Sequence, residues 1–381
     1  MDLSIVIPSY NERDNIRHLV ERIHQALDAL MIDYEIWFVD DSTDDTVEVL
    51  AHIVEMDEQV HVYHRDHARG LASAVVAGFA RATGEYIIVM DADLQHPPDL
   101  LPKIYKRLRH GSDIVIPSRF VPGGSDGGLG PLRKFISFAA RSIGQVMLRR
   151  LRRITDCTSG FFGFQRKVVE HAALDPIGWK ILIEILAKGD YRTVHEIPYT
   201  FLARDAGESK MSLKEQANYL RHILRLVSQI PEDRRFWLFC VVGVTGVVVN
   251  IAVLCVLKYT LAVQDVFASV IASLAAMLSN YIWNDQITWQ DVGTQRKWNT
   301  KLPLFVCISI VGIAITTLVM HTLSSFFVPV PIGQTVGILL ATLWSYTMNN
   351  RLTWRDANAD ARKKIVITRE KRKVGPIHPW H

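Results

Sequence analysis

Two carboxylates spaced one residue apart are the clearest chemical signal in this sequence. Asp91 and Asp93 directly follow the apolar run 86–90. At the end of a strand, such a pair can bind a hard divalent cation, which can bridge the oxygens of a diphosphate. Acidic pairs are common where loops begin, so this pair alone does not establish a role in the departure of a nucleoside diphosphate. The other motifs of the sequence are needed to assign that role.

Two further polar clusters occupy equivalent places in the pattern. Tyr10 and Glu12 follow the apolar run 3–8, and Asp40 follows the run 35–39. In open α/β sheets, ligands bind outside the carboxyl ends of the strands. We therefore expect the three clusters to converge on one crevice.

The elements that must position these clusters alternate between strands and helices. Strands are predicted at 3–8, 35–39, 61–63 and 86–90, and helices at 11–30, 44–54 and 71–82. This alternation is typical of a mainly parallel sheet covered on both faces.

The second part of the chain has a different composition. Charged residues make up 22% of the whole sequence, yet the run 236–257 contains none. About 20 apolar residues are needed to cross a bilayer, and four segments approach this: 236–257, 266–283, 303–327 and 332–348. The second is short and carries Ser273, Ser279 and Asn280, which leaves a buried soluble helix as its alternative.

Basic residues flank these segments on one side. They occur at 234–235, 296–301 and 351–364, whereas the loop 258–265 has only Lys258 and the loop 326–331 has none. Because Lys and Arg near spans favour the cytoplasmic side, both chain ends and the N-terminal domain are predicted to be cytoplasmic. The segment 356–381 is then a basic cytoplasmic tail.

Charge and cysteine content narrow the partners. The net charge of +4 is modest and its basic residues cluster beside the membrane segments, which favours a lipid bilayer over nucleic acid. The four cysteines show no paired spacing, so no disulfide is predicted. Two stretches, 132–153 and 213–230, have the pattern of basic amphipathic helices that lie on a membrane surface, with ordinary packing on the sheet as the alternative.

The membrane part contains an internal repeat with an offset of 65 positions. The matching residues are Tyr281, Asn284, Thr288 and Trp289 in the first copy, and Tyr346, Asn349, Thr353 and Trp354 in the second. Each copy closes a pair of predicted spans, which indicates a duplicated two-helix hairpin.

Several longer motifs carry a resemblance to a known family. They are Ile5-Val-Ile-Pro8-Ser-Tyr10-Asn11-Glu12, Val39-Asp-Asp41-Ser42, Asp91-Ala-Asp-Leu-Gln95-His-Pro-Pro98, Ser159-Gly-Phe-Phe162, Pro176-Ile-Gly-Trp-Lys180 and Gly207-Glu-Ser-Lys210. Residues 1–230 resemble family 2 glycosyltransferases of the GT-A fold, and more closely the dolichol-phosphate mannose synthases that carry a membrane domain. The remainder is similar to GtrA-like membrane domains. The resemblance implies an α/β GT-A catalytic domain at 1–230, which is Rossmann-like with a mainly parallel sheet, and an all-α transmembrane domain of four helices at 231–355.

The same resemblance implies roles for individual residues. It assigns the nucleotide-sugar to Pro8, Tyr10, Glu12, Asp40, Asp91, Ala92, Asp93, Gln95, Arg119, Lys180, Arg204 and Lys210. It assigns a Mg²⁺ or Mn²⁺ ion to Asp91, Asp93 and Gln95, and the lipid phosphate to Arg119, Arg133 and Ser137. Asp91, Asp93 and Arg119 are the residues expected to act in catalysis.

The implied reaction is the inverting transfer of mannose from GDP-mannose to dolichyl or polyprenyl phosphate. A lipid phosphate is already anionic near neutral pH, so it needs no dedicated general base. Transfer from UDP-glucose to a polyprenyl phosphate stays open as an alternative. A processive polysaccharide synthase normally carries a Gln-x-x-Arg-Trp motif, which this sequence lacks. A lipid-linked sugar translocase or binding protein is a third possibility.

Overall fold

The chain forms two compact units. In the computed structural model, residues 1–66, 70–128, 130–201, 213–292, 297–354 and 366–369 are described. One unit, here called the catalytic unit, comprises residues 1–230 together with 363–381, and the other, the membrane unit, comprises 231–362.

The described part of the catalytic unit is built on one eight-stranded sheet in the order β3-β2-β1-β4-β6-β5-β7-β8. The strands are β1 Leu3–Ser9, β2 Tyr34–Asp40, β3 Val60–His64, β4 Tyr86–Val89, β5 Ile114–Ser118, β6 Phe162–Gln165, β7 Thr193–Pro198 and β8 Val366–Arg369. Strand β6 runs antiparallel to its neighbours β4 and β5, and the other pairs are parallel. The predicted mainly parallel α/β sheet is therefore confirmed.

Aliphatic residues in neighbouring strands form the centre of this sheet. Ile5 is paired with Ile36 on one side and with Ile88 on the other. All three side chains are fully buried. Short β-branched runs without alternating polar residues are what a sheet covered on both faces requires.

The helices of the catalytic unit cover this sheet. They are α1 Arg13–Leu27, α2 Thr46–Met56, α3 Leu71–Phe79, α4 Leu101–Arg109, α5 Pro131–Met147, α6 Ile181–Lys188 and α7 Leu213–Gln229. Helices α5 and α7 correspond to the two predicted amphipathic stretches. Helix α5 is shorter than the predicted range to 153, because Leu148 adopts an extended conformation and only a short turn at Arg149–Leu151 follows.

The end of the chain contributes to the catalytic sheet. The sequence analysis treats 356–381 as a basic tail and predicts no strand there, whereas Val366–Arg369 forms the edge strand β8, parallel to β7. The β-branched residues Val366, Ile367 and Thr368 give this segment its strand propensity. The chain thus leaves the catalytic unit after residue 230 and returns to its sheet after the membrane unit.

The membrane unit contains four described helices. They are α8 Pro231–Cys255, α9 Asp265–Trp283, α10 Trp298–Ser325 and α11 Val330–Met348. Three helical segments, Pro231–Thr260, Asp265–Thr288 and Trp298–Ser325, are long and apolar enough to cross a membrane. They make this a membrane protein, whereas crossing by α11 stays a prediction.

The predicted duplicated hairpin has matching local geometry in its two copies. Helices α9 and α11 each continue into a turn with i→i+5 hydrogen bonds, from Trp289 N to Asn284 O (3.0 Å) and from Trp354 N to Asn349 O (2.8 Å). The two indole rings stack with centroids 4.3 Å apart and planes 3° apart. The ends of the two hairpins therefore meet at a shared, stacked tryptophan pair.

Hydrogen bonds across the repeat hold this stack. Trp289 Nε1 donates to Asn350 Oδ1 (3.1 Å), and Trp354 Nε1 donates to Asp285 Oδ1 (2.7 Å). Asp285 and Asn350 are themselves equivalent positions of the repeat. Each copy thus supplies the acceptor for the other copy's indole.

Candidate active site

The first polar loops of the catalytic unit meet at one edge of the sheet, as predicted. Strand β1 lies between β2 and β4, and its last residue, Ser9, is paired with Asp40. Backbone hydrogen bonds continue past the strand ends, from Asp41 N to Ser9 O (3.0 Å) and from Met90 N to Val6 O (3.3 Å). The carboxyl ends of three parallel strands therefore line one crevice.

The loop after β1 is fastened to the loop after β2. Asn11 has a positive φ of 55°, its N–H donates to Ser42 Oγ (2.8 Å), and its Oδ1 accepts the N–H of Thr43 (2.9 Å). Tyr10 is 36% exposed, so its ring is accessible to a ligand at this edge.

The buried side chain of Asp40 holds these loops together through hydrogen bonds. Its carboxylate is fully buried and accepts hydrogen bonds from Ser9 Oγ (2.8 Å) and Ser42 Oγ (2.6 Å), with His64 Nδ1 at 2.8 Å. In this geometry Asp40 holds the loops that would line a nucleoside pocket. Its neighbour Asp41 forms a bidentate ion pair with Arg65, at 2.7 and 2.6 Å, which the sequence reasoning missed.

The acidic motif after β4 forms a tight loop. Asp93 Oδ1 accepts the N–H of Gln95 (3.2 Å), and Leu94 between them has a positive φ of 56°. The Asp93 residue is 5% exposed, whereas the Asp91 side chain is 33% exposed. The loop therefore presents Asp91 to the crevice and holds Asp93 in the wall.

His96 and Gly160 support this acidic loop, although the sequence reasoning gave neither a role. The Asp91 N–H donates to His96 Nδ1 (3.1 Å), and the His96 ring stacks on Phe161 with centroids 5.1 Å apart. A Cβ at Gly160 would lie 2.9 Å from Asp91 Oδ2. The segment before β6 can approach the acidic loop this closely only because residue 160 is glycine.

The oxygen donors of this loop suit a hard divalent cation. Asp91 and Asp93 supply carboxylate oxygens and Gln95 supplies an amide oxygen. Within the described residues, no group of three or more His, Cys, Asp or Glu side chains could enclose a metal ion. One or two carboxylates completed by substrate phosphates is the usual environment of Mg²⁺. The donor set therefore fits a metal that binds together with a diphosphate.

Arg119 follows β5 and faces the same crevice. It forms a bidentate ion pair with Asp156, from Nε to Oδ2 at 2.9 Å and from Nη2 to Oδ1 at 3.1 Å. Asp156 is fully buried, and its N–H and that of Thr155 donate to Glu196 Oε1 on β7. The guanidinium is thus fixed in one orientation, which suits it to a bidentate contact with phosphate.

Lys180 brings a second cation to this place. Its Nζ donates to the carbonyl oxygen of Thr158 (2.9 Å). Desolvation, together with the smaller effect of nearby Arg119, lowers the pKa of Lys180 to about 8, against the opposing attraction of Asp156 and Asp91. The structure therefore brings together Asp91, Arg119 and Lys180, three of the predicted site residues.

The remaining predicted residues are placed only in part. Pro8 is buried in β1, Ala92 is buried in the acidic loop, Glu12 accepts a hydrogen bond from Asn15 (2.8 Å), and Ser137 is half-buried on α5. Arg204 and Lys210 lie outside the described residues, as does the side chain of Arg133.

An apolar surface lies close to this site on α5 and α7. Phe135 and Phe138 on α5 are 68% and 57% exposed, and Leu224 on α7 is 61% exposed. The two helices touch where Tyr219 OH donates to Ala140 O (2.5 Å). Exposed apolar side chains of this size on helices that also carry basic residues are typical of membrane-surface contact.

Comparisons with known proteins cover both units. Residues 4–172 match the glycosyl transferase family 2 model, and residues 238–362 match the GtrA/DPMS transmembrane domain model. The dolichol-phosphate mannosyltransferase of Pyrococcus furiosus is 39% identical over 93% of this chain and 99% of its own length. That of Saccharomyces cerevisiae is 37% identical over 59% of this chain and 87% of its own. A solved glucosyl-3-phosphoglycerate synthase from Mycobacterium tuberculosis, in complex with Mn²⁺, UDP and glucosyl-3-phosphoglycerate, covers 60% of this chain and 80% of that one, with a TM-score of 0.46 at 19% identity.

Proposed function

We propose that this chain, which belongs to the dolichol-phosphate mannosyltransferase family, transfers mannose from GDP-mannose to a dolichyl or other polyprenyl phosphate. One observation carries the proposal: the segment 156–160 binds Arg119 and Lys180 and lies directly against Asp91, so an acidic metal-type loop and two phosphate-type cations share a crevice. The chain is a glycosyltransferase, and this crevice is where its donor and acceptor would meet.

On the donor side, the loops after β1 and β2 would hold the nucleoside. Tyr10 offers an exposed ring, while Pro8, Glu12 and Asp40 shape the loops around it. Asp91, Asp93 and Gln95 would hold Mg²⁺ or Mn²⁺, and Ala92 lies between the two carboxylates. When bound, the cation would neutralise negative charge on the departing diphosphate. Lys180, with Arg204 and Lys210, would add positive charge around the same phosphates.

On the acceptor side, Arg119 would orient the lipid phosphate, with Arg133 and Ser137 of α5. A phosphate oxygen attacks the anomeric carbon while the bond to the nucleoside diphosphate breaks on the opposite face, which inverts the anomeric configuration. The attacking oxygen carries no proton to remove. Rate would therefore come from positioning and charge stabilisation rather than from a general base.

Chain connectivity supports a fourth span. The catalytic sheet contains strands from before the membrane unit and strand β8 from after it. A chain that returns to the same sheet must cross the membrane an even number of times. With α8, α9 and α10 as spans, α11 would complete an even number, and the flanking basic residues favour a cytoplasmic location for both chain ends and the catalytic unit.

A transfer assay with a matched aspartate control tests the proposal. Labelled mannose from GDP-mannose and labelled glucose from UDP-glucose are offered separately with a short polyprenyl phosphate, in Mn²⁺ or in EDTA. We expect metal-dependent transfer from GDP-mannose alone, with a loss of about a hundredfold or more in Asp93→Asn. Asp99→Asn is the control, because the Asp99 side chain is 75% exposed and pairs with Arg22 at the surface.

Two outcomes would contradict the proposal. Transfer from UDP-glucose alone would identify the chain as a glucosyltransferase that acts on polyprenyl phosphate. An active enzyme in EDTA, or an Asp93→Asn variant as active as Asp99→Asn, would remove the metal role from the acidic loop.

A further inference from the structure

Helix α5 carries a third polar position in line with the two already assigned to the lipid phosphate. Residues 133, 137 and 141 are spaced by four, so these positions fall on one face of the helix. The third is Arg141, whose side chain is half-buried. The family resemblance gives no role to this arginine.

The guanidinium of Arg141 is held by an aromatic ring next to Arg119. Its Cζ lies 3.8 Å from the ring centroid of Phe120, and its Nη1 lies 3.5 Å from the carbonyl oxygen of Thr155. Arg119 Cζ lies 5.2 Å from the centroid of the same ring. Phe120 thus brings two guanidinium groups, from β5 and from α5, into one neighbourhood.

The two arginines differ in what neutralises them. Arg119 is paired with the buried carboxylate of Asp156. Arg141 forms no ion pair with a carboxylate among the residues that the structure describes, and its contacts there are aromatic rings and a backbone carbonyl. A guanidinium with neutral partners keeps its full charge and most of its N–H donors for an incoming anion.

Three basic side chains of the site contact one short segment. Within 155–158, Asp156 binds Arg119, the carbonyl of Thr155 faces Arg141, and the carbonyl of Thr158 binds Lys180. Positive charge therefore continues from the acidic loop, near Lys180, to helix α5.

We propose that Arg141 binds the phosphate of the lipid acceptor and makes the site selective for a phosphorylated lipid over the free alcohol. This inference rests on the proposed function. Stacking on Phe120 fixes the plane of the guanidinium, so that two N–H groups can reach two phosphate oxygens together. The same chemistry would suit the headgroup of an anionic phospholipid, because α5 also exposes Phe135 and Phe138.

The test measures the acceptor KM of Arg141→Gln in a neutral detergent, which excludes anionic headgroups. We expect the KM for a short polyprenyl phosphate to rise about tenfold or more, the size of a lost charge-assisted hydrogen bond, while the KM for GDP-mannose stays within about twofold. Arg141→Lys, which keeps the charge but loses the planar fork, should fall between the wild type and Arg141→Gln. The control is Lys134→Gln, which removes one charge from an exposed position of α5 that pairs with Asp126 at 3.1 Å.

Equilibrium binding of farnesyl phosphate without donor separates this inference from the proposed transfer. Weaker binding to Arg141→Gln than to Lys134→Gln would support a phosphate contact even if another sugar is transferred. An unchanged acceptor KM and unchanged farnesyl phosphate affinity would overturn the inference. It is equally overturned if the effect of Arg141→Gln occurs only in vesicles with anionic phospholipid, because the headgroup would then be the ligand.

Discussion

The catalytic unit buries its aliphatic side chains, whereas the membrane unit exposes many of its own. In the catalytic sheet, Ile5 and Ile36 are fully buried, whereas Val248 and Leu339 of the membrane unit are 63% and 62% exposed. Lipid tails are as apolar as these side chains, so helices in a bilayer gain from close contact between small residues instead. Buried aliphatic residues thus carry the fold of one unit, whereas buried small and polar residues and an aromatic cluster around Trp289 and Trp354 carry that of the other.

The small residues of the membrane unit recur at matching positions. Ala268 and Ala272 are fully buried on α9, and their equivalents in the repeat, Gly333 and Gly337, are buried on α11. A Cβ at Gly337 would lie 2.8 Å from the carbonyl oxygen of Thr316 on α10. In each hairpin, small residues spaced by four along the second helix therefore set how closely the two helices pack.

The buried polar groups of the two units also differ in what they connect. In the catalytic unit, the buried pairs Arg65–Asp41 and Arg119–Asp156 join different loops beside the crevice. In the membrane unit, Thr288 donates to Asn284 (2.8 Å) as Thr353 donates to Asn349 (2.7 Å), once in each copy. The first arrangement builds an asymmetric site, whereas the second closes the same local turn once in each copy of the repeat.

The largest expected effect follows from the stacked tryptophans. Trp354→Ala would remove the ring that stacks on Trp289 and the hydrogen bond to Asp285, and we expect it to destabilise the membrane unit by about 3–5 kcal/mol. Thermal unfolding in detergent measures this loss. The control is Trp298→Ala, because Trp298 is 70% exposed, and Trp354→Phe separates the stack from the hydrogen bond.

Donor binding tests whether the catalytic unit functions independently of the packing of the membrane unit. Titration of Trp354→Ala with GDP and Mn²⁺ should give an affinity within about twofold of the wild type, because the proposed nucleotide site uses residues of the catalytic unit alone. A loss of GDP affinity that matches the loss of stability would show that the catalytic unit depends on the stack, and the comparison would fail.

Sequence periodicity was sufficient for the first four strands and for the convergence of the polar loops. Each of those predictions used a run of apolar residues followed directly by polar ones, and the strand-end rule supplied the rest. The Arg119–Asp156 pair had no such signal, because its partners are 37 residues apart and Asp156 lies in a loop without periodicity. His96 was visible in the motif, but only the fold shows its ring nitrogen beside the N–H of Asp91.

A smaller effect is expected from the titration of Lys180. The pKa of about 8 means that Lys180 loses its positive charge as the pH rises through that value. Since the donor diphosphate is attracted to the charged form, kcat/KM for GDP-mannose should be level below pH 8 and then fall by up to about tenfold per pH unit. The measurement is a pH profile of kcat/KM at a fixed Mn²⁺ concentration.

An arginine variant distinguishes this titration from effects of pH on the metal. Arginine stays charged, so Lys180→Arg should have no decline near pH 8, at whatever activity it retains. If wild type and Lys180→Arg decline together, the alkaline limb belongs to another group, and Lys180 does not titrate as its surroundings indicate.

The smallest expected effect concerns β8, a strand that the sequence analysis did not predict. Four residues within a basic tail give little strand signal, and their partner β7 lies more than 160 positions earlier, so local patterns could not indicate the pairing. Successive N–H groups of a strand point to opposite sides, so in Ile367→Pro/Thr368→Pro at least one hydrogen bond to β7 must be lost. We expect the catalytic unit to lose about 1–2 kcal/mol of stability, measured by thermal unfolding against Ile367→Ala/Thr368→Ala. Equal stability of the proline and alanine variants would mean that β8 adds nothing to the sheet, and the even number of membrane crossings would lose its structural support.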